Sequence, residues 1–286
     1  MSGAFPHVGV MLPQFRGETG SLIDAVQEAE ELGFASAWVI DHLSAPGADP
    51  SRPILESWTA LALLAVRTSR IGVGTLVTRA GLRRPGILAK AAATLQQASR
   101  GRLTVGVGIG DATNRGENFA YGYDFPGPAE RDRRLEETVE ALRSQPLGGP
   151  SAGRVPVWVG GNARARVDVA ARIADGWNSW GLPAAEFAGR ARLLEQAALA
   201  AGRPGVKATW AGQVLIAEDD AEAKRALATW SQGRDPGAVA GVIAGGPEEV
   251  VAGLGALADA GAAVVVCSFV GPLAGRGRQF LAAALQ

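Results

Sequence analysis

Short apolar runs rich in Val, Ile and Leu alternate along this chain with amphipathic stretches of helical length built from Ala, Leu, Glu and Arg. The runs read as strands, and the stretches whose apolar residues recur at helical spacing read as helices. The pattern predicts eight strands, at Val8–Pro13, Ser36–Asp41, Arg70–Val77, Leu103–Gly110, Val155–Gly161, Gly176–Gly181, Thr209–Ala217 and Ala263–Val270. It predicts helices near Gly20–Leu32, Glu56–Thr68, Pro85–Ser99, Pro128–Ser144, Asn162–Ile173, Pro183–Ala201, Asp219–Ser231 and Leu273–Leu285, with an additional one near Pro247–Ala260. Pro85 and Pro128 suit first-turn positions, where a missing N–H costs nothing, and Gly33, Gly101 and Gly202 follow helical runs as caps do. Acidic residues at Glu218, Asp219, Asp220 and Glu222 sit where a helix dipole favours them.

Repeated strand–helix units imply parallel strands with helices around them. Eight units in 286 residues favour a closed (β/α)8 TIM barrel, one α/β domain over residues 1–286, rather than an open doubly wound sheet. The Gly-x-Gly-x-Gly at Gly106–Gly110 lacks the GxGxxG spacing and lies mid-chain, which further disfavours a dinucleotide fold. The segment Gln145–Arg154, rich in Pro, Gly and Ser, reads as one loop, and no linker divides the chain.

Composition narrows the chemistry. Basic and acidic residues number 28 each, for a formal net charge of +0, so the broad cationic field of a nonspecific nucleic-acid binder is missing. The 39 glycines announce many turns or close backbone approaches. Cys267 is the single cysteine, which excludes an internal disulfide or a Cys-rich metal site, and its apolar run reads as core. His7 and His42 are the only histidines, so no His-built metal centre is expected. None of Lys90, Lys207 and Lys224 follows a glycine, so there is no Walker-type phosphate loop, and no Gly-x-Ser-x-Gly elbow occurs. No basic residue precedes Arg16, and the uncharged stretch near Ala260–Gly275 contains Pro272 and is too short to span a bilayer. The expectation is a soluble, cytoplasmic protein with a small-molecule substrate and no nucleic-acid or membrane partner; a homodimer is compatible with these features.

In barrels of this kind active sites lie at the C-terminal ends of the strands. The second strand delivers Asp41 and His42 to such an end, whereas His7 precedes the first strand and belongs to the opposite end. The plainer alternative is a loop Asp and a surface His. The fourth strand ends Gly108-Ile109-Gly110-Asp111-Ala112-Thr113-Asn114, where glycines let a planar ligand touch backbone with Asp111 above it; alternatively they fit a narrow barrel interior and Asp111 starts a turn. Gly160-Gly161-Asn162 runs directly into a helix whose N–H groups suit a phosphate, with charge added by Arg164 and Arg166. Trp38, Trp158, Trp177 and Trp180 read mostly as core, with one or two available to wall a flat apolar pocket. Arg79, Arg83 and Arg84 read as a solvated loop unless a polyanionic cofactor tail reaches them.

In order and spacing, several pieces resemble the luciferase-like monooxygenase superfamily of flavin and deazaflavin oxidoreductases. They are Ala29-Glu30-Glu31-Leu32-Gly33-Phe34 leading to Trp38-Val39-Ile40-Asp41-His42, Arg70-Ile71-Gly72-Val73-Gly74-Thr75, and Leu88-Ala89-Lys90 with Ala93-Thr94-Leu95. Gly101-Arg102-Leu103 running into Gly106-Val107-Gly108, Trp158-Val159-Gly160-Gly161, and Ala174-Asp175-Gly176-Trp177 complete the set, which covers nearly the whole chain. The resemblance implies a (β/α)8 barrel with an isoalloxazine-type ring at the strand C-termini. Asp41-His42 and Gly110-Asp111-x-x-Asn114 resemble the members that use coenzyme F420, a deazaflavin hydride carrier.

By analogy with the glucose-6-phosphate dehydrogenase of that group, His42 is the proton donor or acceptor and Asp111 a second acid/base group, although that relative carries glutamate there. Cofactor contacts are implied at Asp41, Leu76, Val77, Thr78, Ile109, Gly110, Asn114, Gly160, Gly161, Ala163 and Arg164, with a cis peptide at Leu76–Val77 and no metal. Two departures weigh on substrate: no lysine for a sugar phosphate lies between Gly176 and Gly205, and the 145–154 segment is shorter than in many relatives. The resulting expectation is hydride transfer between F420 and a small organic substrate. The alternative is an FMN-dependent monooxygenase served by a separate flavin reductase. A barrel glycosidase built on Asp41 and Asp111 is disfavoured by the 6% aromatic content.

Overall fold

In the computed structural model the chain is described over residues 7–45, 53–144 and 153–286. The strands are β1 (His7–Met11), β2 (Ser36–Val39), β3 (Gly72–Arg79), β4 (Leu103–Gly108), β5 (Val157–Gly160), β6 (Gly176–Trp180), β7 (Lys207–Ile216), β8 (Ile243–Gly245) and β9 (Val264–Phe269). From β1 to β6 each strand pairs in parallel with its sequence neighbour. Pairings β6–β7, β7–β9 and β9–β1 then close an eight-stranded parallel barrel, the (β/α)8 TIM barrel expected. The short β8 only extends the sheet beside the end of β7; three residues are too few for a periodic signal, which is why the sequence pattern does not reveal it.

Around the barrel run α1 (Thr19–Glu31), α2 (Ser57–Arg67), α3 (Pro85–Ala98), α4 (Asn114–Ala120), α5 (Pro128–Ser144) and α6 (Arg164–Ile173). They continue with α7 (Ala184–Ala200), α8 (Asp220–Trp230), α9 (Pro236–Ala240), α10 (Pro247–Asp259) and α11 (Gly277–Ala284). Pro85 and Pro128 open α3 and α5, and Asp219 caps α8 by accepting from Glu222 N at 2.7 Å. The short helices α4 and α9 are additions to the expected set. Of the 145–154 loop, only Gly153 and Arg154 fall within the described residues.

β3 runs two residues beyond its expected end. Its register against β4 shifts between Thr75 and Thr78, and the Leu76–Val77 peptide is cis.

Two apolar layers hold the barrel. Outward faces of the strands pack on the helices, burying Val10, Val39, Val105, Val159 and Trp177 completely. Inside, Trp38 stacks on Trp158 with ring centroids 4.9 Å apart, beside Leu76, Ala211 and Val266. Glycines make room for these rings: a Cβ at Gly74 would lie 2.4 Å from the Trp38 ring, and one at Gly176 2.8 Å from Trp158. The interior is therefore filled, and a ligand must sit above it at the mouth.

Several residues of the family resemblance secure the opposite end. Glu30 accepts from the backbone N–H groups of Ser69, Arg70 and Ile71, and Arg102 donates to the carbonyls of Ala65, Thr68, Ile71 and Ser99. Cys267 lies in the core as expected, and burial pushes its thiol up to about 12.

Candidate functional site

Because the barrel strands are parallel, residues that follow β2, β4 and β5 all emerge at one mouth. Asp41 and His42, Gly110 and Asp111, and Gly161 share that rim; His7 opens β1 at the far end.

Asp41 is a buried hub, 2% exposed. Its Oδ1 accepts from Ser57 Oγ at 2.6 Å and Arg83 Nη2 at 3.1 Å. Its Oδ2 accepts from Thr78 Oγ1 at 2.8 Å, Arg79 N at 3.1 Å and Arg83 Nη1 at 2.6 Å. Burial alone would raise this carboxyl, but the Arg83 fork, Ser57 and Thr78 outweigh it and hold it below the usual carboxylate range. Thr78 also accepts from Trp58 Nε1 at 3.0 Å. The side-chain polar atoms of Asp41 and Thr78 are thus engaged within the protein.

Arg79 and Arg83 correct the solvated-loop expectation. Arg79, 6% exposed, donates from Nε to the Asp41 carbonyl at 2.8 Å and from Nη1 to Asn118 Oδ1 at 2.8 Å. Local sequence cannot reveal that the carboxylate met by Arg83 is Asp41, at the adjacent β2 exit; only Arg84 of the three is exposed.

His42 remains half-buried, its Nδ1 lying 3.1 Å from Glu117 Oε1. Glu117 was not among the residues singled out in the sequence. It sits on α4, where Asn114 and Glu117 share one face, and that i, i+3 pair just past the β4 exit is the one local signal available. Its Oε2 accepts from Leu43 N at 2.8 Å and Ser44 N at 3.1 Å, and its Oε1 from Asn114 Nδ2 at 2.7 Å and Arg79 Nη1 at 3.1 Å. Burial acts to raise the Glu117 carboxyl, yet His42, Ser44 N and Arg79 together bring it from 4.5 to about 2.

A carboxylate depressed in the folded state stabilises the fold above its unfolded value and loses that contribution as pH falls through the folded one. Thermal midpoints should therefore drop between pH 4.5 and about 2 in the native protein, and Glu117→Gln should flatten that limb. An acid limb identical in native protein and variant would remove Glu117 from this role.

The β4 exit is tied down by the same helix. Buried Asn114 accepts from Asp111 N at 2.8 Å, and Gly110, at φ +70°, has no room for a Cβ, which would lie 2.7 Å from Asn114 Oδ1. Ile109 is half-buried beside it. Asp111 itself is exposed, and its Oδ1 accepts from Thr113 N at 2.8 Å and from the Thr113 hydroxyl. Glu117, rather than Asp111, is the carboxylate that meets His42.

At the ends of β4 and β5 the glycines answer to packing. A Cβ at Gly108 or Gly160 would come within 2.5 Å of the Val77 side chain, so these positions admit the β3 bulge where Leu76 and Val77 turn. Gly161, at φ +130°, passes over the stem of buried Arg166, which donates to Asp132 at 2.5 Å. Helix α6 then begins without a side-chain cap at Ala163, with no acidic residue in its first turn and with Arg164 exposed. Trp38, Trp158 and Trp177 are core, and Trp180, 44% exposed, is the one at the rim, its backbone bound both ways to Asn162.

The sequence profile of the family described as Luciferase-like monooxygenase matches residues 4–241, a span running from β1 through α9. The chain belongs to that family. Among curated relatives, it is 36% identical over 129 residues to the F420-dependent glucose-6-phosphate dehydrogenase of Kineococcus radiotolerans, covering 43% of this chain and 36% of that protein. It is 31% identical over 185 residues to the phthiodiolone/phenolphthiodiolone dimycocerosates ketoreductase of Mycobacterium bovis, covering 52% and 48%. The chain thus spans about a third to a half of the length of the curated relatives it matches. Its fold is shared with an F420-dependent secondary alcohol dehydrogenase solved with an F420-acetone adduct, at TM-score 0.82 and 19% identity over 99% of this chain and 100% of that one. It is shared also with the EDTA monooxygenase of Chelativorans sp. BNC1, at TM-score 0.81 and 16% identity over 99% and 94%.

Proposed function

We propose that this protein is an oxidoreductase that transfers a hydride between coenzyme F420 and a small organic substrate, with His42 giving or taking the substrate proton. The carrying observation is the His42 imidazole at the barrel mouth, anchored through Nδ1 to Glu117 and half-exposed. The F420-dependent activities named for its relatives support the choice of cofactor.

The rim suits a flat, phosphate-bearing group. The first N–H groups of a helix have no intrahelical acceptor, and at α6 they meet neither a side-chain cap nor an acidic residue but Arg164. In this reading Gly160, Gly161, Ala163 and Arg164 hold the phosphate. The backbone at Val77, Ile109 and Gly110 would meet the ring, while Asp41, Thr78 and Asn114 brace the loops that carry it. When bound, F420 supplies the hydride carrier.

The remaining chemistry belongs to the chain. With Nδ1–H donated to Glu117, neutral His42 presents the Nε2 lone pair and accepts a hydroxyl proton; in the reverse direction the imidazolium donates from Nε2. The Glu117 charge compensates the imidazolium as it forms. Asp111, on the same rim, is the second acid/base group of this reading. The lack of a lysine between Gly176 and Gly205 disfavours a sugar phosphate as the substrate.

Tryptophan quenching during titration should give tighter binding of F420 than of FMN. The reverse order would favour an FMN-dependent monooxygenase with a separate reductase.

A further inference from the structure

Between the β3 exit, the β4 exit and the start of α5 lies a cavity of about 20 Å³, lined by Arg79, Gly81, Gly110, Asn118, Phe125 and Arg131 among others. Two guanidinium nitrogens of its lining, Arg79 Nη2 and Arg131 Nε, are sealed from solvent and have no hydrogen-bond partner among the described residues. Arg79 as a whole is 6% exposed. Leaving such charged donors buried and unmet is costly, so a missing acceptor is the natural reading.

Among the described charged residues of the lining, Arg131 is the one without an ion pair. Arg79 pairs with Glu117 at 3.1 Å, and Arg134 pairs with Asp124 at 2.6 Å and Glu130 at 2.9 Å. Arg131 forms no ion pair among the described residues; it donates to the Gly110 carbonyl at 2.9 Å and lies 4.5 Å from the Phe125 ring centroid. Asp111, whose charge also acts on Arg79, is exposed and turned to Thr113.

Size selects the missing partner. A cavity holding one water needs roughly 10–15 Å³, so this one takes a single atom-sized ligand and excludes sulfate or phosphate. A water would meet the two donors but bring protons of its own and leave the Arg131 charge standing. A halide ion only accepts and carries the compensating charge.

We propose that this cavity binds one halide ion, held by Arg79 and Arg131. Arg79 also holds the Asp41 carbonyl and Arg131 the Gly110 carbonyl. The ion therefore couples the two loops that present His42 and Asp111, whatever cofactor the mouth accepts.

Crystals of the full chain grown with bromide should show an anomalous peak in this cavity. Thermal midpoints should rise by a few degrees in chloride or bromide relative to gluconate at equal ionic strength, gluconate being an anion too large to enter. Arg131→Gln should erase that halide-minus-gluconate difference, a comparison made within the variant and so independent of its basal stability. The proposal is overturned by water density without an anomalous peak, by equal midpoints in halide and gluconate, or by an undiminished difference in Arg131→Gln. A peak that needs molar bromide and brings no midpoint difference is an adventitious ion and overturns it equally.

Discussion

Replacing His42 with Ala is expected to lower kcat by about 10²–10⁴-fold, the usual contribution of a positioned acid/base group, while F420 affinity stays within a few-fold. The two effects separate because the proposed cofactor contacts lie on β3, β4, β5 and α6, and none runs through the imidazole. The fold should survive, since Glu117 keeps Arg79, Asn114 and the N–H groups of Leu43 and Ser44 as partners when the ring is gone. Steady-state turnover of the cofactor-saturated variant, on any substrate the native protein accepts, reads the effect. Wild-type kcat would make His42 an ordinary loop residue.

Asp41→Ala carries the largest expected loss of stability. It removes the acceptor of Ser57, Thr78, Arg79 N and both arms of Arg83 at a site 2% exposed. Breaking a buried ion pair by deleting one partner costs about 3–5 kcal/mol, because the surviving charge is left without compensation. Denaturant unfolding should show this loss, and a double-mutant cycle with Arg83→Met should return strong coupling, since removing both charges spares the stranded guanidinium. A loss under about 1 kcal/mol would place Asp41 among ordinary surface pairs and remove it as the brace of the mouth.

Asp41 and His42 illustrate what the sequence makes legible. Their position at a strand exit follows from the βα repeat alone, and closure of the barrel then brings them to the rim of Gly110 and Gly161. Their division of labour does not follow, because it depends on Arg83 and Glu117, 42 residues beyond Asp41 and 74 beyond Leu43. Pairings at that separation leave no periodic trace. For Gly108 the sequence leaves a ligand-facing and a packing role both open, and the side chain that needs its space, and that of Gly160 two strands away, is Val77 on β3. Glu30 and Arg102 serve the far end of the barrel, so part of the family resemblance reports how loops are tied down rather than chemistry.

The central claim, F420 bound beside His42 at the mouth, is tested most directly by NMR of protein labelled at histidine, because His7 and His42 are the only two imidazoles in the chain. Addition of F420 should move the His42 resonances saturably and leave those of His7, at the opposite end of β1, in place. Unmoved His42 signals at saturating F420, or a response to FMN alone, would contradict it.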